Sequence, residues 1–295
     1  MPVWHSLRLS ASLAFVAISL TSHGWTQLGT HSYARRYEPF DITIGVVVGD
    51  DAVLVIDSRA SVAEGEQLRA DVGTLSDKPI RGVVNTHQHF DHTLGNAAFP
   101  DIAVIGHESL TETLGAHLDE IRADARSSGA DSPADRALIS SPTRVPDVTL
   151  SSVWSADLGD CLVEVVHPGR AHTAGDVVVK VTPDRVTYVG DLTEQSGPPS
   201  YGTDSYPLEW ADALDFVVGV CEPESTIVPG HGDAVDRDFL QEQRKTILDV
   251  ANQIRDAASA GESVDEALQR EWPLDPQVLT FAIRRGFEQL GLSAQ

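Results

Sequence analysis

The chain has 295 residues, of which 41% are hydrophobic and 22% charged, so it can bury one large core or two modest ones and is not a disordered protein. With 21 Lys and Arg against 44 Asp and Glu, the formal net charge is −23, which repels a phosphate backbone and argues against nucleic acid as a partner. Cys161 and Cys221 lack the spacing of a disulfide framework or a thiolate metal site, and we expect both to be buried thiols.

Residues 1–24 contain one apolar stretch, residues 11–20, which is about half the length that a membrane-spanning helix needs. We therefore expect no stable membrane insertion. The stretch has the length of a signal-peptide core, with Arg8 before it and small residues after it. We favour an N-terminal extension of a cytoplasmic protein, and export through a weak signal is the alternative.

From residue 42 onward, strand and helix patterns alternate. The β-branched segments 42–48 and 53–56, separated by turn residues, predict a hairpin. Apolar runs that end in turn residues predict further strands at residues 80–84, 102–105, 163–166, 177–181, 186–189 and 227–228. Helical spacing predicts helices at residues 61–72, 108–126, 208–219, 240–254, 264–268 and 278–290, and the composition of residues 127–146 predicts a loop or an irregular insert. Two blocks of strands, each followed by helices, predict an α/β sandwich over residues 25–238, with a helical C-terminal segment at 239–295.

A cluster of histidines follows the predicted strand at 80–84. His87 and His89 are two residues apart in an extended segment, so both imidazoles point to the same side and can bind one metal ion. The turn that follows lets Asp91 and His92 face a neighbouring position. This arrangement is expected of a centre with two metal ions.

Three more residues of types that bind metals occur where an apolar strand runs into a glycine-containing turn. They are His172, Asp191 and His231. Loops at strand ends are held by a rigid scaffold, which favours a shared site over solvated surface histidines.

Together these segments resemble the metallo-β-lactamase-fold hydrolases, through H-x-H-x-D-H, H-T-x-G-D, G-D and P-G-H motifs. The resemblance implies an αβ/βα sandwich of two mixed sheets flanked by helices, with metals at the edge between the sheets. It implies that three histidines hold the first metal, that two histidines and a carboxylate hold the second, and that a further carboxylate bridges them. The residues are, in that order, His87, His89 and His172; Asp91, His92 and His231; and Asp191.

The expected cofactors are two Zn²⁺ ions, with Mn²⁺ or Fe as alternatives, and the expected partner is a small-molecule substrate. Such a centre lowers the pKa of a bridging water from 15.7 towards ~7, which makes hydroxide available as a nucleophile. Asp91 would take the proton and pass it to the leaving group. We therefore expect hydrolysis of an ester, thioester, lactone or amide bond.

Three other functions stay open. The same hexapeptide occurs in persulfide dioxygenases with a single iron, and a non-catalytic metal-binding module is also conceivable. β-Lactamase activity is not the first expectation, because metallo-β-lactamases commonly have Cys or Ser where this chain has Asp191, whereas glyoxalase II and lactonases keep Asp. The C-terminal helices could cover the site or form a homodimer.

We also expect specific roles for several residues near the motifs. Asp57 is expected to support a ligand, and Asp176 to orient the turn that carries His172. Arg170 could bind a substrate anion or form a surface ion pair. The aromatic residues of the segment 196–210 could line a pocket or simply pack. Three histidines outside the motif spacings are expected to serve packing, capping or solvent contact; they are His107, His117 and His167.

Overall fold

The computed structural model describes residues 19–20, 24–129 and 131–292. The predicted N-terminal extension therefore lies almost entirely outside the described residues, apart from the two-residue strand Ser19–Leu20 and Gly24. Among the described helices, none combines the length and apolar character that crossing a bilayer requires.

The described chain contains thirteen strands and eight α-helices. The strands are β1 Ser19–Leu20, β2 Thr26–Gln27, β3 Ser32–Tyr37, β4 Ile42–Val48, β5 Val53–Ile56, β6 Ile80–Val84, β7 Ala103–His107, β8 Val148–Leu150, β9 Val153–Asp157, β10 Leu162–Val166, β11 Val178–Val181, β12 Val186–Glu194 and β13 Thr226–His231. The helices are α1 Val62–Val72, α2 Phe90–Thr93, α3 Leu110–Ser127, α4 Pro133–Ser140, α5 Trp210–Val220, α6 Arg237–Ser259, α7 Val264–Ala267 and α8 Thr280–Gln289, with short 3-10 turns at Leu94–Ala98, Thr182–Asp184 and Pro276–Leu279.

The strands form one mixed arrangement in the order β8-β7-β6-β5-β4-β13-β12-β11-β10-β9, with β3 also paired to β4. The strands β5 to β8 are parallel, as are β12 and β13, and the remaining neighbours are antiparallel. The two predicted sheets are the two halves of this arrangement. They meet where β13 pairs with β4 at a single residue pair, His231 with Ile42.

Most predicted elements are present with boundaries shifted by a few residues, and β12 continues to Glu194. The predicted loop at 127–146 was wrong in part, because it contains α4. Ser132 and Asp135 form a capping box there, and Pro133 occupies the first helical turn, where its missing N–H costs nothing. Strands β2, β3, β8 and β9 were not predicted, since their polar residues mask the apolar pattern.

The C-terminal helices pack against the α/β body. Leu240, Ile247, Val250 and Ile254 of α6 are fully buried, as their spacing predicts, and share a hydrophobic cluster with Trp210 of α5. Burying a side chain of this size contributes about 1.5–3 kcal/mol. The same cluster includes residues of β11 and β12, so the helical segment is packed directly behind the strand that carries Asp191.

Candidate metal centre

The seven predicted ligands converge at one edge of the sheet. Two follow β6 directly, two lie on the short helix α2, one follows β10, and the last two lie on β12 and β13. Because β12 and β13 are parallel, their carboxyl ends meet at the same edge, where loops from neighbouring strands can share a site.

The first ligand set consists of His87, His89, His172 and Asp191. Their ligand atoms all lie within 4.8 Å of one another. His172 Nε2 is 2.9 Å from His89 Nδ1 and 3.5 Å from Asp191 Oδ2, and His87 Nε2 is 3.6 Å from the same oxygen. Ligand atoms arranged tetrahedrally around Zn²⁺ at ~2.0–2.1 Å lie about 3.4 Å apart, so these spacings suit one ion.

The second ligand set consists of Asp91, His92 and His231. His231 Nε2 lies 3.4 Å from His92 Nε2 and 3.4 Å from Asp91 Oδ2, and His92 Nε2 lies 3.8 Å from that oxygen. Asp191 also faces this set, with Oδ1 at 3.2 Å from His92 Nε2 and Oδ2 at 3.4 Å from His231 Nε2. Its carboxylate therefore stands between the two sets, in the position of a bridging ligand.

Two buried polar atoms of the site make no hydrogen bond. They are His87 Nε2 and Asp191 Oδ1. A buried polar atom without a partner is costly, and a buried carboxylate is usually paired or bound to a metal. The donor set therefore fits divalent metal ions.

Three of the ligand imidazoles are fixed by a hydrogen bond to the ring nitrogen that does not face the other ligands. Nδ1 of His92 donates to Asp57 at 2.8 Å, and Nδ1 of His172 and of His231 each lie 2.9 Å from a backbone carbonyl, those of Ser200 and Phe40. These contacts fix the tautomer that leaves Nε2 for a metal.

Asp57 has the supporting role that the sequence predicted. Its carboxylate also accepts hydrogen bonds from the backbone N–H and the hydroxyl of Thr86, each at 2.8 Å. Asp57 has a φ of 66°, a left-handed conformation that is uncommon for residues other than glycine. The strand end that carries His87 and the helix that carries His92 are thereby tied to one carboxylate.

The electrostatics of the two ligand sets differ. Burial lowers the pKa of His87 well below its usual value and that of His172 to about 4. Burial also opposes protonation of His92 and His231, but the nearby carboxylates, Asp191 foremost, outweigh it and raise the pKa of His92 well above its usual value and that of His231 to about 10. The carboxylates around the second set therefore favour a positive charge on its histidines.

Three residues near the ligands were not predicted as part of the site, namely Gln88, Asp204 and His117. Asp204 accepts a hydrogen bond from Gln88 at 2.6 Å and lies 3.2 Å from His89 Nε2. The ring of His117, on α3, lies 4.9 Å from that of His89. Asp204 belongs to a Gly- and Pro-rich segment with no motif spacing, and its position depends on how that segment folds back.

Glu194 is the fourth unpredicted residue of the site and is only 6% exposed. Burial and the neighbouring Asp191 raise the pKa of its carboxyl group well above the usual value. In a regular strand, residues three apart face opposite sides, so Glu194 and Asp191 would not be expected together. The pairing of β12 with β13 shifts register between Gly190 and Glu194, which brings both to one side.

Other expectations have clear outcomes. Asp176 accepts hydrogen bonds from the backbone and hydroxyl of Thr173 at 2.8 Å, which confirms its role in the turn beside His172. Arg170 forms a bidentate ion pair with Glu209 at 2.7 and 3.0 Å. Of the two expectations for Arg170, the structure thus shows the surface ion pair. Both cysteines are buried and free, as expected.

The aromatic segment 196–210 contributes mainly packing. The ring of Trp210 lies 5.5 Å from that of His172 and 5.0 Å from that of Tyr201, so it supports a predicted ligand from the side of the core. Tyr206 packs under the guanidinium of Arg170, away from the ligands.

A cleft of about 460 Å³ opens onto both ligand sets. Apolar and small residues form its walls beside the ligands, and its lining consists of His89, Phe90, Asp91, His117, Ile121, Asp191, Glu194, Ser196, Gly197, Pro198, Ser200 and His231. This volume suits a small molecule.

Comparison with known proteins finds distant relatives of this chain. A metallo-β-lactamase type 2 of Bacillus cereus is 26% identical over 166 residues, which cover 55% of this chain and 56% of that protein. The α subunit of the 2,4-dinitroanisole O-demethylase of Nocardioides sp. (strain JS1661) is 28% identical over 171 residues, 55% of this chain and 46% of that one. The chain thus spans about half the length of these relatives.

Solved structures share the fold. A sec-alkylsulfatase, Pisa1 of Pseudomonas sp., superimposes with a TM-score of 0.71 at 15% identity, covering 90% of this chain and 50% of that one. A metallo-β-lactamase from Pontibacter korlensis gives 0.57 at 19% identity, covering 76% of this chain and 97% of that one. The family model of the metallo-beta-lactamase superfamily matches residues 37–231. The chain belongs to the metallo-β-lactamase superfamily.

Proposed function

We propose that this protein is a binuclear metal-dependent hydrolase, with zinc as the first candidate metal, that cleaves an ester, thioester, lactone or amide bond of a small molecule. The observation that carries the proposal is the position of Asp191, whose carboxylate lies 3.2–3.6 Å from histidine nitrogens of both ligand sets. When bound, two divalent ions would supply Lewis acidity and a water whose pKa is lowered to ~7.

Asp91 is the proposed proton carrier. Its carboxylate belongs to the second ligand set, where it lies beside His231, and it also lines the cleft that a substrate would enter. A carboxylate in that position can accept the proton of the attacking water and deliver it to the leaving group.

The cleft walls support a substrate with an uncharged body. Phe90, Ile121 and Pro198 offer apolar contact, and Phe90 is fixed by an edge-to-face contact with Phe40 at 5.1 Å. Lining residues within the described chain include carboxylates but neither Lys nor Arg. Binding of a substrate anion would therefore depend on the metals themselves.

The relatives define which bonds to test. Their names refer to a β-lactamase, an O-demethylase acting on 2,4-dinitroanisole and a sec-alkylsulfatase. Lactams, aryl methyl ethers and sec-alkyl sulfates therefore join esters, thioesters and lactones in a substrate panel.

The test is hydrolysis of this panel by protein loaded with Zn²⁺, Mn²⁺ or Fe²⁺, with metal content measured in parallel. We expect about two equivalents of metal and turnover of one class of bond. Asp91→Asn should reduce kcat by ~10²–10⁴-fold, whereas Asp101→Asn, at an exposed position, should not. Oxygen consumption with a persulfide by protein holding a single iron would instead establish a dioxygenase, and the absence of bound metal would refute the proposal.

A further inference from the structure

Glu194 is the last residue of β12 and lies beside the second ligand set. It is the paired neighbour of His231 across the parallel strands β12 and β13, and paired neighbours place their side chains on the same face of a sheet. Ligand atoms of Asp191, Glu194 and His231 all lie within 4.8 Å of one another.

The backbone of Glu194 is fixed from the C-terminal helix α6. The side-chain amide of Gln243 accepts from its backbone N–H at 2.9 Å and donates to its carbonyl at 2.8 Å. Because both backbone groups are hydrogen-bonded, the position of the Glu194 backbone beside the site is fixed.

The carboxylate of Glu194 lacks a conventional partner. Within the described part of the chain, no hydrogen bond or salt bridge to its carboxylate oxygens is found, although the residue is only 6% exposed. The carboxylate of Asp191 lies in the same cluster and adds repulsion. A buried carboxylate beside another carboxylate is expensive unless a cation lies between them.

We propose that Glu194 is an additional carboxylate ligand of the second metal, an inference that rests on the proposed binuclear hydrolase. The second site then offers two imidazoles and three carboxylates, those of Asp91, Asp191 and Glu194, whereas the first offers three imidazoles and Asp191. Imidazole-rich sites suit zinc, and carboxylate-rich sites suit harder ions such as Mn²⁺. The two sites therefore differ in the hardness of their donors, and the second should bind Mn²⁺ relative to Zn²⁺ better than the first does.

The experiment measures metal binding and needs no substrate. Metal-stripped full-length protein is dialysed against a fixed concentration of Zn²⁺ with an increasing excess of Mn²⁺, and bound metals are quantified by mass spectrometry. Affinities of both equivalents follow from chelator competition. The variants are Glu194→Gln, which keeps the side-chain shape and removes the charge, and Glu194→Asp, which keeps the charge and shortens the reach. The control is Glu242→Gln, a helix residue whose side chain is 77% exposed.

For the wild type we expect that a sufficient excess of Mn²⁺ displaces one Zn²⁺ and leaves the other bound. In Glu194→Gln, one equivalent should weaken by at least ~10-fold while the other is unchanged, and a larger excess of Mn²⁺ should be needed to displace Zn²⁺. Glu194→Asp should lie between the wild type and Glu194→Gln, and Glu242→Gln should match the wild type.

Two results would overturn the inference. The first is an unchanged affinity and Zn-to-Mn ratio in Glu194→Gln. The second is an equal weakening of both equivalents with a normal circular-dichroism spectrum. A wild type that binds no metal would refute the proposed function itself, so the two failures are distinguishable.

Discussion

Asp57 accepts a hydrogen bond from Nδ1 of His92 at 2.8 Å, although 35 residues separate them in the chain. The pair is almost fully buried, with His92 inaccessible and Asp57 1% exposed. This carboxylate therefore sets the orientation of a second-set ligand without reaching the cleft itself.

Replacing Asp57 should weaken metal binding at the second set. In Asp57→Asn the amide tolerates the left-handed backbone but presents N–H groups to donors on Thr86 or His92. We expect a ~10–100-fold loss of affinity for one metal equivalent and a loss of about 1–3 kcal/mol in the free energy of unfolding. Chelator competition and denaturant unfolding measure both.

The control for Asp57→Asn is Asp50→Asn, on the same hairpin with a side chain 76% exposed. It should leave both quantities unchanged. Equal weakening of the two metal equivalents would mean that Asp57 supports the whole site rather than His92.

Gly230 sets the space available to Asp191. A Cβ atom at this position would overlap Asp191 Oδ1, which faces His92. Gly230→Ala should therefore displace the bridging carboxylate and reduce the affinity for both metal equivalents. Metal stoichiometry after dialysis against a weak chelator is the measurement.

Gly219 provides a matched substitution in the same half of the chain. It lies within α5, and a Cβ there would meet nothing within 4 Å. Gly219→Ala should keep full metal content and raise the free energy of unfolding by about 0.5–1 kcal/mol. Full metal content in Gly230→Ala would show that Asp191 is not held where its bridging role requires.

His117 should contact the substrate rather than a metal. It lines the cleft, its Nε2 is buried without a partner, and burial with the neighbouring His89 lowers its pKa to about 4, so the ring is neutral at pH 7. His117→Phe keeps the ring packing and removes the nitrogens. We expect kcat/KM to fall about 3–10-fold, the effect of one neutral hydrogen bond, with metal content unchanged.

The comparison variant for His117 is His107→Phe, because His107 also stacks on another histidine, His167, at 4.1 Å. Its kcat/KM should equal that of the wild type. Loss of a metal equivalent in His117→Phe would assign His117 to a cation site with His89 and Asp204 instead.

The sequence predicts those site residues whose position depends on local spacing, and not those whose position depends on long-range folding. His87 to His92 follow from residue spacing in one short segment, and His172, Asp191 and His231 from strand ends, which the structure brings together. Asp204 and Glu194 could not be predicted, because one depends on the path of a long loop and the other on a register shift between two strands. Spacing along the chain carries neither kind of information.

The same distinction applies to the fold. Apolar runs buried on both faces, such as β5 and β12, are visible as patterns, whereas the partly exposed β9 is not. The helix α4 lies in a polar segment and is marked only by its capping box and proline. Local start signals thus carry information that hydrophobic periodicity misses.

Metal loading should stabilise the fold, because the ligands of the two sets converge in the folded chain and bind the metal there. A ligand at 100 times its Kd adds about 2.7 kcal/mol, which for a chain of this size raises Tm by about 4 °C. Calorimetry of stripped and reloaded protein measures the difference. In Glu194→Gln the protein should gain less than the wild type on reloading, since one proposed metal ligand is gone. An equal Tm for the stripped and reloaded wild type would contradict metal binding at this cluster.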